Sequence, residues 1–278
     1  HYGHGNYRFI PVFKDYCFLA DVELTTLAET FGKLNPDARR FLISFLEDTT
    51  PDEAKLEYIE IDLNVVGSPN HNVGFLPIAE NTGLILELGS YVLKETFESV
   101  SRWNAKGMKL KSFSVNVSMR QLLCESFVDE VAQLMKLYFP KKEHGQKIYF
   151  EITEHVFAED IQKVVGLMTK LKQLGISFSI DDFGTGYSSL SYLKVLPIDE
   201  VKIDQTFISG LSESRNDKKM ISTIISIAKN FDLNIVAEGV ETFEQLAFLS
   251  KIDCDVFQGF YFEEPMPLIE FEKKYIFT

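Results

Sequence analysis

The feature that most constrains this chain is a rhythm. From Phe75 onward, short runs of β-branched and aromatic residues alternate with longer stretches whose apolar residues recur at helical spacing. The strands expected are Lys111 to Val117, Lys147 to Ile152, Ser177 to Asp181, Glu200 to Ile203, Asn234 to Ala237 and Val256 to Phe262. The helices include Ile78 to Gly83, Leu84 to Ala105, Phe127 to Phe139, Ile161 to Leu174, Lys218 to Phe231 and Phe243 to Leu249, with Gly175 and Asn230 where C-caps belong. Apolar strands joined by helical crossovers require a parallel sheet covered on both faces. Tyr7 to Phe13, carrying Pro11, and Cys17 to Thr25 read as an opening hairpin, which brings the strands to eight. Together they predict an α/β chain, a TIM-like (β/α)8 barrel with an atypical opening β-hairpin. An open doubly wound sheet is the runner-up, but no glycine fingerprint follows the first strand.

The chain is expected to be a single domain over residues 1–278, with a helix-and-strand insertion at about 30–72. Within it, Asn35-Pro36-Asp37 and Thr50-Pro51-Asp52 read as helix starts. A hydrophobic content of 45% supports a large core, and a net charge of -13 argues against nucleic acid or an anionic membrane surface as the main partner. A phosphate ligand remains compatible with that charge if metal ions supply the positive side. Cys17, Cys124 and Cys254 are widely separated, which fits free thiols in a reducing compartment. No run of about 18 apolar residues occurs, so direct membrane insertion is not expected. A cytoplasmic location is, for the chain alone or as the cytoplasmic part of a larger membrane-associated protein.

The chemistry gathers at the strand ends. They read Ser114-Val115-Asn116-Val117-Ser118, Glu151-Ile152-Thr153-Glu154, Asp181-Asp182-Phe183-Gly184-Thr185-Gly186, Val201-Lys202-Ile203-Asp204, Glu238-Gly239-Val240-Glu241 and Gln258-Gly259, with Glu23 near the end of the second strand. In a parallel barrel these ends share one rim, where barrel active sites are built. Taken singly, each has an ordinary role as a solvated acid or a cap; seven in register point to a shared acidic site. Crowded carboxylates need a counter-charge. Hard oxygen donors favour Mg²⁺ or Mn²⁺, because His1, His4, His71, His144 and His155 show no ligand spacing. Two such ions can activate a water and steady an in-line attack on phosphorus. Lys202, the cation of the rim, either serves that reaction or forms a salt bridge with a neighbouring acid.

These segments, with Phe75-Leu76-Pro77-Ile78-Ala79-Glu80 and Tyr187-Ser188-Ser189-Leu190, closely resemble the EAL-domain phosphodiesterases, which hydrolyse cyclic di-guanylate (cyclic di-GMP) to linear pGpG. The resemblance covers Phe75 to Pro265. It implies that Asn116, Glu151 and Asp181 hold one ion with Glu23, and that Asp181, Asp182 and Glu238 hold a second. It further implies that Lys202 assists the attacking water, that Glu238, Asp182 and Gln258 serve the catalytic centre, and that Glu154 braces the loop after Asp182. Asp181, Asp204, Gln258 and Glu241 would face the substrate. The resemblance also admits a homodimer and fusion to regulatory domains, GGDEF-type among them.

The first third departs from the family pattern. Ile10-Pro11-Val12 stands where the family has Gln-Pro-Ile, and Glu23-Leu24-Thr25-Thr26-Leu27 where it has Glu-Ala-Leu-x-Arg. Leu27 thus replaces an arginine that would contact phosphate, a charge-assisted contact worth roughly 1.5–3 kcal/mol. Two functions follow: a phosphodiesterase with weakened affinity, or a cyclic di-GMP receptor or protein-interaction domain with a degenerate pocket.

Overall fold

The computed structural model describes residues 79–276, apart from 81, 109, 141–145, 155–159, 185–189 and 213–214. The opening hairpin, Ile10, Glu23, Leu27, His155 and the 30–72 insertion lie outside the described residues. Residues 94–264 form one compact unit, and 79–93 with 265–276 belong to a second.

The first unit is a βα repeat. After helix α1 (Leu84–Ala105), which begins in the second unit, come β1 (Ser112–Asn116), α2 (Met119–Leu122), α3 (Phe127–Tyr138), β2 (Lys147–Thr153), α4 (Ile161–Gln173), β3 (Ile176–Phe183) and α5 (Leu190–Leu193). Then follow β4 (Glu200–Ile203), α6 (Gln205–Ser209), a 3₁₀ turn (Gly210–Ser212), α7 (Arg215–Asn230), β5 (Asn234–Ala237), α8 (Phe243–Lys251) and β6 (Val256–Phe257). The strands lie side by side in chain order, and every pair is parallel. Parallel neighbours need crossovers, and the helices supply them.

Strand alternation divides the labour between the two faces. Phe113, Phe150 and Phe178 point toward the helices: Phe113 meets Phe97 of α1 edge-on at 5.9 Å, and Phe150 lies 5.9 Å from Phe127 of α3. Phe150 also meets Phe178 edge-on at 6.2 Å. Trp103 of α1 is fully buried. The opposite face carries Ser114, Asn116, Tyr149, Glu151, Ser179, Asp181, Glu200, Lys202 and Asn234. Asn234 Nδ2 donates to the Tyr149 hydroxyl at 3.3 Å. These two residues sit on β5 and β2, which are not sheet neighbours, so the sheet curls and this face looks inward.

Most expected boundaries stand within a residue or two, and β4, β5 and α1 match in full. Two differences matter. The expected strand Val256 to Phe262 stops at Phe257, because the chain turns at Gly259 and Phe262 N–H bonds back to Gly259 O at 3.1 Å. Asn230 ends α7 in helical conformation, and the left-handed turn falls instead on Asp232, φ 57°. Gly175 does adopt the left-handed form after α4, φ 95°.

The second unit includes α9 (Leu268–Tyr275), a helix absent from the sequence expectations, which buries Phe271. Among the described residues no helix is long and apolar enough to cross a membrane.

Candidate active site

The site is built around Lys202, at an inward position of β4. Its side chain is 4% exposed, and its ammonium lies 2.7 Å from Glu238 Oε1, 2.9 Å from Glu151 Oε2 and 3.1 Å from Asp181 Oδ1. The register explains the meeting. Glu151 pairs with Ser179, two residues before Asp181, while Lys202 pairs with Val236, two residues before Glu238. Same-face residues therefore arrive at the C-terminal strand ends together.

Strand alternation alone would send Asp181 and Asp182 to opposite faces. The backbone resolves this: Asp182 takes a left-handed conformation, φ 55°, where the β3–β4 register shifts, and its N–H donates to Asp181 Oδ1 at 3.1 Å. One carboxylate oxygen each from Asp181, Asp182 and Glu238 lies within 4.8 Å of the others. Asp182 also hydrogen-bonds the side chain of Asp204. Asp204 is the N-cap of α6, accepting from Thr206 N–H at 2.9 Å and from the Thr206 hydroxyl.

Two further contacts hold the loops. Glu154 Oε1 accepts from Gly184 N–H at 2.7 Å. Gly184 has φ 101° and a Cβ there would come within 3.0 Å of the Phe207 ring, so the loop needs glycine at this point. Gln258 is fixed by its main chain, which donates to Ala237 O at 2.9 Å and accepts from Val240 N–H at 3.0 Å. The buried Gln245, not singled out in the sequence, accepts from Glu241 N–H at 2.8 Å and Thr242 N–H at 2.9 Å and donates to Ile208 O at 3.1 Å. It ties the loop after β5 to the segment after β4. The Gln three residues after Thr242 could have been read as a capping box. Asn116 stands beside Glu151 in register with its side chain exposed, and Glu241 is exposed at the same end.

The electrostatics show how much negative charge is concentrated here. Burial pushes the Glu238 carboxyl up to about 7, against the pull of Lys202, and Asp181 and Glu151 add repulsion. Partial burial, then Asp181 and Asp204, push Asp182 up to about 6. Burial would depress Lys202, but Glu151, Glu238 and Asp181 outweigh it and hold the ammonium well above the usual lysine value. Two oxygens of the site, Glu151 Oε1 and Gln258 Oε1, are buried without a hydrogen-bond partner among the described residues. Hard oxygen donors with raised carboxyl pKa values and orphaned lone pairs fit a divalent cation well.

A curled parallel α/β sheet with an acidic, lysine-centred rim defines a class: TIM-like barrels with a site for hard cations at the strand C-termini. The EAL domain pattern matches residues 53–265, and the chain belongs to the EAL-domain family. Glu23 lies before the matched segment. The bifunctional diguanylate cyclase/cyclic di-GMP phosphodiesterase MucR of Pseudomonas aeruginosa is 39% identical over 193 residues, 69% of this chain and 28% of MucR. The cyclic di-GMP phosphodiesterase PdeR of Escherichia coli is 35% identical over 205 residues, 72% of this chain and 30% of PdeR. The chain thus spans less than a third of the length of these relatives. Among solved structures, the MucR phosphodiesterase in complex with cyclic di-GMP superposes with TM-score 0.65 at 37% identity, covering 73% of this chain and 82% of that one. The EAL domain of Mycobacterium smegmatis DcpA gives TM-score 0.63 at 37% identity, covering 68% of this chain and 84% of that one.

Proposed function

We propose that this chain is a divalent-metal-dependent phosphodiesterase domain that hydrolyses cyclic di-GMP to linear pGpG. The observation that carries the reading is the convergence of Glu151, Asp181 and Glu238 on Lys202, with Asp182 beside them. Relatives named for this activity, and a solved relative in complex with the dinucleotide, support the substrate.

Asp181, Asp182 and Glu238 would hold one ion, and Asn116, Glu151 and Asp181 another, of the Mg²⁺ or Mn²⁺ kind. Glu23 is carried by the resemblance alone. When bound, such ions supply positive charge that acidifies water and steadies phosphoryl oxygens. The water oxygen bonds to phosphorus as one ester bond breaks, and the departing ribose oxygen takes a proton. Lys202, held as an ammonium, acts as a hydrogen-bond donor toward the water or a phosphoryl oxygen rather than as a base. Glu154 keeps the Asp182–Gly184 turn in place. Gln258, Asp204 and Glu241 line the approach for the polar parts of the nucleotide. A homodimer, and fusion to regulatory domains of the kind the longer relatives' lengths allow, belong to the same proposal, as does a cytoplasmic setting.

The test is incubation of the chain with cyclic di-GMP and Mn²⁺ or Mg²⁺. Linear pGpG should form, chelation should stop it, and Asp181→Asn should abolish it. No product at high enzyme concentration would overturn the reading. Ile10 and Leu27 favour a second reading, a slow or inactive receptor, which equilibrium binding without turnover would select.

A further inference from the structure

Beneath the acidic rim, the inward face of the sheet carries a second polar layer that the chemistry above does not use. Ser179 lies two residues before Asp181 on β3 and is fully buried. It is in register with Glu151 on one side and with Glu200, also fully buried, on the other. Ser114, two residues before Asn116 on β1, is 9% exposed and in register with Tyr149. Among the described residues, the hydroxyls of Ser179 and Ser114 and the Oε1 atom of Glu151 are all buried without a hydrogen-bond partner. Glu151 spends its other oxygen on Lys202.

Three orphaned oxygens on adjacent strands, all on the concave face, are not an ordinary core. Buried polar atoms are nearly always satisfied, and when protein groups do not reach each other an internal water does the work. Such a water needs two to four polar partners, and it can donate to a carboxylate while exchanging hydrogen bonds with hydroxyls. The hydrogen bond between Asn234 and Tyr149 across the same interior extends the polar layer from β2 to β5.

We propose that Ser179 and Ser114 are positioning residues that hold internal water against Glu151 Oε1, fixing the rotation of that carboxylate beneath the metal-binding rim. The proposal rests on the reading of Glu151 as a metal ligand, and it adds a supporting layer from below. Groups behind a ligand orient it, and their loss weakens metal binding without touching the ion.

The test uses Mn²⁺ alone, so it does not depend on turnover. Ser179→Val fills the space and removes the hydroxyl; Mn²⁺ affinity by titration calorimetry should fall about tenfold, whereas Ser179→Thr, which keeps the hydroxyl, should stay within about twofold of the parent. A high-resolution crystal structure of the parent should show ordered water within hydrogen-bond distance of both Ser179 Oγ and Glu151 Oε1. Unchanged Mn²⁺ affinity in a folded Ser179→Val protein would overturn the proposal. So would a dry interior, or a direct Ser179–Glu151 hydrogen bond, in the parent crystal, and this second measurement decides the matter if the valine variant does not fold. Failure of the parent to hydrolyse cyclic di-GMP would count against the phosphodiesterase reading alone and leave both results intact.

Discussion

Lys202 meets three carboxylates in a place where water scarcely reaches, and that position sets how the site behaves before any metal arrives. Removing one partner of a buried ion pair leaves uncompensated charge, at a cost of about 3–5 kcal/mol. Lys202→Met should therefore lower chemical-denaturation stability by an amount of that order in chelator, and Mn²⁺ should narrow the gap by supplying the missing positive charge. A variant as stable as the parent in chelator would mean that the carboxyls discharge by taking up protons instead. The pH response has a definite sign. Glu238 is raised from 4.5 to about 7 and Asp182 from 3.8 to about 6, so the folded metal-free protein holds protons that the unfolded chain has released. From these two groups, metal-free stability falls as pH rises from about 4 to 7. Cations bind the carboxylate form, so Mn²⁺ affinity should climb over roughly pH 5 to 8, with proton release falling as it does. Calorimetry in buffers of different ionisation heat reads both, and a flat affinity profile would refute it.

At the scale of elements, the same clasp appears twice at the far end of the strands. Lys172, in the last turn of α4, pairs with Asp199 at 2.7 Å, and Asp199 Oδ2 accepts from Phe178 N–H at 2.9 Å. Lys229, in the last turn of α7, pairs with Asp255 at 2.6 Å, and Asp255 Oδ2 accepts from Ile235 N–H at 3.0 Å. Each aspartate stands just before a strand and satisfies an amide of the preceding one. The ion pairs are about a third exposed and worth little. The strand amide has no such freedom, since an unsatisfied buried donor costs about 1–3 kcal/mol. Asp199→Ala should thus destabilise by about that much, whereas Lys172→Ala should cost no more than about 1 kcal/mol. Equal effects in urea melts would show that the ion pair, not the cap, matters. The βα order and most strand starts were legible in the sequence because burial imposes apolar runs there. Asp182's turn was not, since nothing in an Asp-Asp pair announces a positive φ. Val256 to Phe262 misled for the opposite reason: its aromatics look like strand, yet Gly259 turns the chain so that Tyr261 N–H reaches Val240 O at 2.9 Å. The acids of the rim could be picked out, but the serines under them could not, because polar residues in an alternating strand usually face water.

For the molecule as a whole, the net charge of -13 and the anionic substrate of the proposed reaction pull in opposite directions. Beyond the side chains that touch the substrate, that charge acts through the long-range field. At low ionic strength the Debye length is about 30 Å, comparable to the molecule itself, and it contracts to about 8 Å at physiological salt. With metal kept saturating, kcat/KM for cyclic di-GMP should therefore rise as inert salt is added from about 10 to 150 mM, because screening removes repulsion between substrate and protein. The effect belongs in KM and the association rate, with kcat nearly unchanged, since groups within contact distance of the reacting phosphate are screened far less. Leu27 sharpens the expectation, because it stands where the family pattern has a phosphate-contacting arginine. A fall in kcat/KM with salt would instead reveal a positive funnel at the mouth and refute the expectation.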